Sequence, residues 1–293
     1  MAQRVFFVSS TGRVTYGGRY AGASRSVGMV VRTLNLGLQT DMAVQIYGGL
    51  EVGGNATVTG MDEYPSNWAN CPAASGSQKA VVAKDTSLVY TRGGGQIVGN
   101  PAETQDTSLN AQDFLQYGDV SFDELKALAE KVYPAGVTVN NTAPALTQDG
   151  RCDKSVRENW GAPTDPTSPC HFYFPIIYAQ GNLTISSSSS GQGILLVEGD
   201  LKIAGGFQFN GLVIVKGTFE TGSGNAQVNG SVIVYSGGSL GVSTISDLTG
   251  TPIVSLGTCA IKRAEEYNTA VSRAIPLSTR AWIDLSGAGT SSN

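Results

Sequence analysis

Four cysteines, a single histidine and a scatter of acids are the residues of this 293-residue chain that could do chemistry. Cys71, Cys152, Cys170 and Cys259 form no CxxC pair, and His171 stands alone, so the Cys/His ligand sets of zinc have no counterpart. An even, widely spaced set permits two disulfides in any of three pairings, or four reduced core thiols. Cys152 and Cys170 bracket a polar segment rich in Pro, Asp and Thr, of the kind a disulfide pins, which makes them the first candidate pair and Cys71 with Cys259 the second. Asp149, Asp153 and Asp165 bring hard oxygen ligands near the bracketing cysteines and form the candidate calcium site, without EF-hand spacing.

Sugar chemistry is the other reaction class these residues could serve. A glycosidase needs two carboxylates about 5–10 Å apart, and Glu198, Asp200 and Glu220, or the three aspartates, could provide them. A polysaccharide lyase would add a basic residue such as Lys202 or Lys216. Val197, Ile203, Phe209 and Val215 recur six residues apart, as in hexapeptide acyltransferases, where His171 would be the base. Solvated acids and a structural histidine account for the same residues, and no catalytic residue is assigned. Trp68, Trp160 and Trp282 read as anchors before sugar platforms, and Asn55, Asn182 and Asn229 as turn corners. Gly93-Gly94-Gly95 lacks the context of a phosphate loop or a nucleophile elbow.

Composition says what kind of elements must position these groups. There are 38 glycines, and only 14% of residues are charged, which disfavours exposed helices. With 41% hydrophobic residues and a net charge of −4, the chain is not disordered. A sequence pI near 5.1 gives no basic field for nucleic acid. No apolar run reaches the roughly 18 residues that cross a bilayer, and the start lacks the layout of a signal peptide. The chain is then either cytosolic or an ectodomain separated from its export segment.

A repeat supplies the positioning frame. Segments starting at Pro175, Gly193, Gly211 and Gly230 share a short apolar strand followed by a small or polar turn, at intervals of 18, 18 and 19 residues. Gly49–Gly60 aligns without a gap on Asp200–Gly211, which puts Leu50, Val52, Ala56 and Val58 in inward slots. The expected fold is mainly β: a parallel β-helix, taken as right-handed, with rungs of about 18 residues. Rungs are expected at 40–60 and 172–258, after antiparallel strands over 1–39. An insertion over 61–171 holds the disulfide loops and a short helix, and 259–293 form a capping helix, a final strand and a tail. Within the insertion, Ser121 and Glu124 make a capping box leading into Leu125, Leu128, Ala129 and Val132, and Val81-Val82, Leu88–Tyr90 and Val137–Val139 are strand-like. Ile261, Ala264, Tyr267 and Val271 predict a helix over 260–274, and Arg4–Val8, Arg13–Tyr16 and Ser26–Leu34 read as extended segments split by turns.

The run GILLVEGDLKIAGGFQFNGLVIVKG, then GSVIVY, then Cys259 opening a helix that ends in Pro-Leu-Ser-Thr-Arg-Ala-Trp-Ile-Asp-Leu, resembles the C-terminal region of PilX-like type IV pilus assembly proteins. Val5–Gly12 and Ala23–Arg32 are similar to the strands that follow the hydrophobic helix in such pilin-like proteins. The resemblance covers mainly 4–60 and 172–286. It implies a non-enzymatic ectodomain of a minor, tip or priming pilus component, at the bacterial surface or in the periplasm, acting in pilus assembly, adhesion or motility. Its partners would be other minor pilins, a tip adhesin or the major subunit. It would meet a membrane only through an N-terminal helix that this sequence does not carry. A carbohydrate-active β-helix enzyme and a self-assembling solenoid resembling bactofilins are the alternatives.

Overall fold

The computed structural model describes residues 5–16, 22–34, 36, 41–186, 189–222, 224–235, 245–248, 251–277 and 282–285. The expected boundary near residue 39, the first four residues, Ser278–Ala281 of the Pro276–Leu285 run and the tail from 286 lie outside them. The chain is mainly β and falls into two units, one made of residues 1–35 with 269–293, the other of 36–268.

In the first unit, Val5–Arg13 pairs antiparallel with Ser24–Thr33, from Val5 opposite Arg32 to Arg13 opposite Ser24. Ala274–Pro276 and Trp282–Asp284 pair antiparallel with Ser24–Thr33 as well. The turn expected at Ser9–Gly12 is absent: these residues stay extended, and the Thr11 and Ser26 hydroxyls meet across the strands at 2.7 Å. Cross-strand pairing here outweighs the turn preference of Ser and Gly.

The second unit is built from parallel strands in two sheets. One sheet runs through Lys131–Tyr133, Ile176–Ala179, Ser190–Val197, Gln208–Val215 and Gln227–Val234, each parallel to the next. The other runs through Val137–Val139, Leu183–Ile185, Leu201–Ile203 and Phe219–Thr221. Like residues stack: Ile177, Leu195, Val213, Val232, Val44 and Val81 are successive partners and all are buried. Burying several apolar side chains on each of these strands is what holds a stack that no single strand could sustain. Gly193, Gly211 and Gly230 share one register, at φ +114°, +142° and +152°.

The order of the stack differs from the order of the chain. Met42–Ile46 and Ile253–Leu256 both pair with Gln227–Val234, and Gly49–Val52 pairs with Ile245–Leu248. The N-terminal strands therefore continue the stack beyond its C-terminal strands. Leu50, Val52, Ala56 and Val58 are all buried. Residues 61–171 supply Lys79–Ala83, Val89–Thr91, Gln96–Val98, Glu103–Gln105, Lys131–Tyr133 and Val137–Val139 to the same sheets. Glu103–Gln105 is thus near one end of the stack and Lys131–Tyr133 at the other, and residues 106–130 must run back along it.

That return segment is a strap. It carries a short 3-10 turn at Ala111–Phe114, a two-residue pairing of Gln116–Tyr117 with Val120–Ser121, and helix α1, Phe122–Ala127. Its buried residues are Leu109, Phe114, Tyr117, Val120, Phe122 and Leu125. They lie along a column of residues that follow the stacked strands: the Phe114 ring meets Tyr47 and Tyr235 at 5.9 and 5.5 Å, and the Lys216 ammonium sits 4.1 Å from the Phe122 ring centre. The capping box forms in both directions, with Glu124 N–H donating to Ser121 Oγ at 3.1 Å and Ser121 N–H to the Glu124 carboxylate at 2.8 Å. Removing the cap in Ser121→Ala is expected to cost about 1 kcal/mol of stability, read as a lower urea midpoint at unchanged slope. The helix ends six residues in, because Lys131–Tyr133 is claimed by parallel pairing with Ile177–Ala179, so Val132 is a strand residue.

Helix α2, Thr258–Glu266, is shorter than the predicted 260–274. It packs on the strands Ser190–Val197, Gln208–Val215 and Gln227–Val234. Its N-cap, Gly257, has no side chain, and the buried Asp62 caps the helix in its place, accepting from Thr258 N–H at 2.9 Å and from Thr258 Oγ–H at 2.7 Å. At the far end Asn268 donates to the Phe174 carbonyl at 2.9 Å, and Ala274–Pro276 leaves as a strand.

Candidate functional site

The cysteines form two disulfides, Cys71–Cys259 across 188 residues and Cys152–Cys170 across 18. The first joins the loop after Asp62 to α2. Arg263 of α2 strengthens that junction. Its guanidinium lies 4.2 Å from the Trp68 ring centre, donates to the Ala69 carbonyl, and is 3.4 Å from His171 Nε2. Burial lowers the Arg263 pKa. His171 Nδ1 is 3.2 Å from the Ala162 carbonyl, so the single histidine is a packing element between two loops. The second disulfide is partnered by the buried Asn159, whose amide donates to the Asp153 carbonyl at 2.8 Å.

The three aspartates of the candidate calcium site are spent separately. Asp149 accepts from Thr147 and Arg151, Asp153 from the Ser155 hydroxyl and amide, and Asp165 from those of Thr167. Those bonds hold all three below the ordinary carboxylate range. Among the described residues, no group of three His, Cys, Asp or Glu comes together for a metal ion.

Two of the three acids on the stack, Glu198 and Asp200, are likewise engaged. Glu198 accepts from Lys216 at 2.6 Å and from the Tyr178 hydroxyl at 3.0 Å. Asp200 accepts from the Thr218 amide and hydroxyl at 2.8 and 3.0 Å. Glu220 stands beside Lys202 in register. Trp160 is fully buried and donates to the Tyr133 hydroxyl at 3.0 Å, and Trp68 donates to the Pro163 carbonyl at 2.8 Å. Trp282 is 67% exposed.

Two features have the chemistry of recognition. The first is a cavity of about 270 Å³ between the strap and the outward face of the sheet. Met42, Val82, Leu109, Tyr117 and Ile233 give it a buried floor, and Asp106, Ser108, Asp113 and Gln116 a polar rim. Gln45 lies between Ile233 and Val82 in register, is only 9% exposed, and its side chain makes no hydrogen bond among the described residues. Ser108 holds Asp106 below the ordinary carboxylate range through its hydroxyl and amide. Lys84, immediately after the strand Lys79–Ala83, donates to the Thr107 and Leu109 carbonyls, which fixes the strap over the cavity. Sequence reasoning missed this place because its residues come from four segments and only Gln45, a lone amide among apolar strand residues, breaks a pattern.

The second feature is the edge strand of the first unit. All nine residues of Val5–Arg13 are exposed, including Val5, Phe6, Phe7 and Val8, so both faces of the strand present apolar side chains. Among the described residues its outer edge has no pairing partner. No helix among the described residues is long and apolar enough to cross a membrane. No family model, curated protein or solved structure matches the chain.

Proposed function

We propose that the parallel stack is a β-helix with rungs of about 18 residues and that the chain is a non-enzymatic display scaffold, the ectodomain of a minor, pilin-like component of a type IV pilus. The observation that carries this reading is the Val5–Arg13 strand: an exposed edge, uncharged up to Gly12 and apolar over Val5–Val8, which fits docking by strand addition to other pilus subunits. The regular stepping of stacked residues supports a rigid scaffold. Two disulfides support folding in an oxidising compartment, the periplasm or the cell surface. In this reading the other minor pilins, a tip adhesin or the major subunit add to the edge, and the stack is the surface displayed for assembly, adhesion or motility.

The test replaces Phe6 and Val8 together with Lys in the native host. Both side chains are exposed, so the expected result is an unchanged melting temperature with loss of co-purification with pilus subunits and fewer surface pili. Pilus number and co-purification equal to wild type would overturn the proposal.

A further inference from the structure

We propose that the cavity under the strap binds a small hydroxylated primary-ammonium compound, the size of a single amino sugar. The inference is independent of the pilus reading. It starts from the hydrogen-bonding groups left over once the protein's own bonds are counted. Asp106 uses one carboxylate oxygen, Oδ1, for Ser108, and Asp113 uses Oδ2 for Asn110. Gln116 spends its amide N–H on the Gly118 carbonyl at 2.9 Å. The Tyr117 hydroxyl is committed to the Phe114 carbonyl at 2.6 Å, and burial raises its pKa. The remaining groups are then Asp106 Oδ2, Asp113 Oδ1, the Gln116 carbonyl oxygen and both ends of the Gln45 amide.

This set is rich in acceptors and carries two negative charges. The two lysines that act on Asp106 are committed elsewhere: Lys84 is turned to the strap's carbonyls and the Tyr47 ring, 5.3 Å from its centre, and Lys79 pairs with Asp41 at 2.7 Å. An anionic ligand would be repelled, and a ligand without donors would leave the oxygens unmatched. A bare divalent ion is disfavoured too, since no three acids, thiols or imidazoles gather here. An ammonium group answers the two carboxylates through charge-assisted bonds. Hydroxyls answer Gln45 and Gln116, and the C–H face of a sugar ring suits Met42, Val82, Leu109 and Ile233. The volume, about 270 Å³, is at the small end of ligand sites and takes one ring.

Gln45 is the independent sign of a ligand. An amide that is nine-tenths buried on an apolar floor normally has a partner. Here it faces an open space, bordered by a strap tied down by Lys84.

The test is calorimetric titration of the whole chain with glucosamine, glucose and glucuronate at neutral pH and low salt, repeated on Gln45→Met and Asp113→Asn. The expected result is saturable one-site binding of glucosamine, at least about tenfold tighter than glucose, weakened by added salt, with no binding of glucuronate. Gln45→Met and Asp113→Asn should each weaken glucosamine by about tenfold while melting no lower than wild type. Asp113 is on the exposed rim, so its variant carries the test if Gln45→Met fails to fold. Absence of saturable glucosamine binding, equal binding of glucose, or binding unchanged in a folded variant would each overturn the proposal.

Discussion

Gly211→Ala is expected to destabilise the second unit by about 4 kcal/mol, combining ~1–3 kcal/mol for a side chain at positive φ with ~1–3 kcal/mol for forced displacement of its neighbours. Gly211 has φ +142°, and a Cβ built on it would lie 2.0 Å from the Gly193 carbonyl oxygen in the adjacent strand. That oxygen belongs to backbone held in the parallel ladder, so it cannot rotate away as a side-chain tip would. Gly193 and Gly230 repeat the geometry: a methyl group on either would meet a backbone oxygen, at 2.2 and 1.7 Å respectively. Any shift at one level is therefore passed to the next. Gly222→Ala is the control: its Cβ would meet nothing nearer than 3.8 Å, and the expected change is within about 0.5 kcal/mol. Chemical denaturation of both variants decides. Equal midpoints would mean that the stack absorbs a methyl at its tightest point, and the expectation would fail.

The same glycines explain what the sequence makes legible. A parallel stack repeats its requirements at each level, so Gly193, Gly211 and Gly230 recur at the chain spacing of the strands and the period is visible without coordinates. The inward residues of Gly49–Val52 were readable for the same reason. Their place in the stack was not. Backbone ladders carry no address, so nothing in Leu50 or Val52 says that Gly49–Val52 lies beyond Ile245–Leu248. The address is written in the strap, whose Phe114, Tyr117 and Phe122 look like ordinary loop aromatics until the column of Tyr47, Tyr235 and Lys216 is in view. Helix lengths were overread because the periodic apolar residues past 127 and 266 serve other roles: Leu128 and Tyr267 are the C-caps, Val132 is in a strand and Val271 lies in a turn. The cavity was invisible because its acids, Asp106 and Asp113, have local turn partners that already explain them.

Removing Cys71–Cys259 as the double Ser variant is expected to cost about 5 kcal/mol by loop-closure entropy, against about 3 kcal/mol for the double Ser variant of Cys152–Cys170. The difference follows from 188 residues closed against 18, and it grows only logarithmically. Cys152–Cys170 lies inside the larger loop and shortens it too little to alter the logarithm. Two further ties oppose the full effect in the native state. Arg263 still packs on Trp68, and Asp62 still caps Thr258, so the loop and α2 stay together without the bond. Those ties act on the folded form, whereas the disulfide acts mainly by restricting the unfolded one, so the ordering of the two variants should survive them. Urea denaturation of each double variant, with the other disulfide intact, measures it. A larger loss from Cys152–Cys170 would mean that the unfolded chain keeps the Trp68 loop near α2 without the bond, and that the clustering of Arg263 with Trp68 and His171, rather than the disulfide, holds that junction.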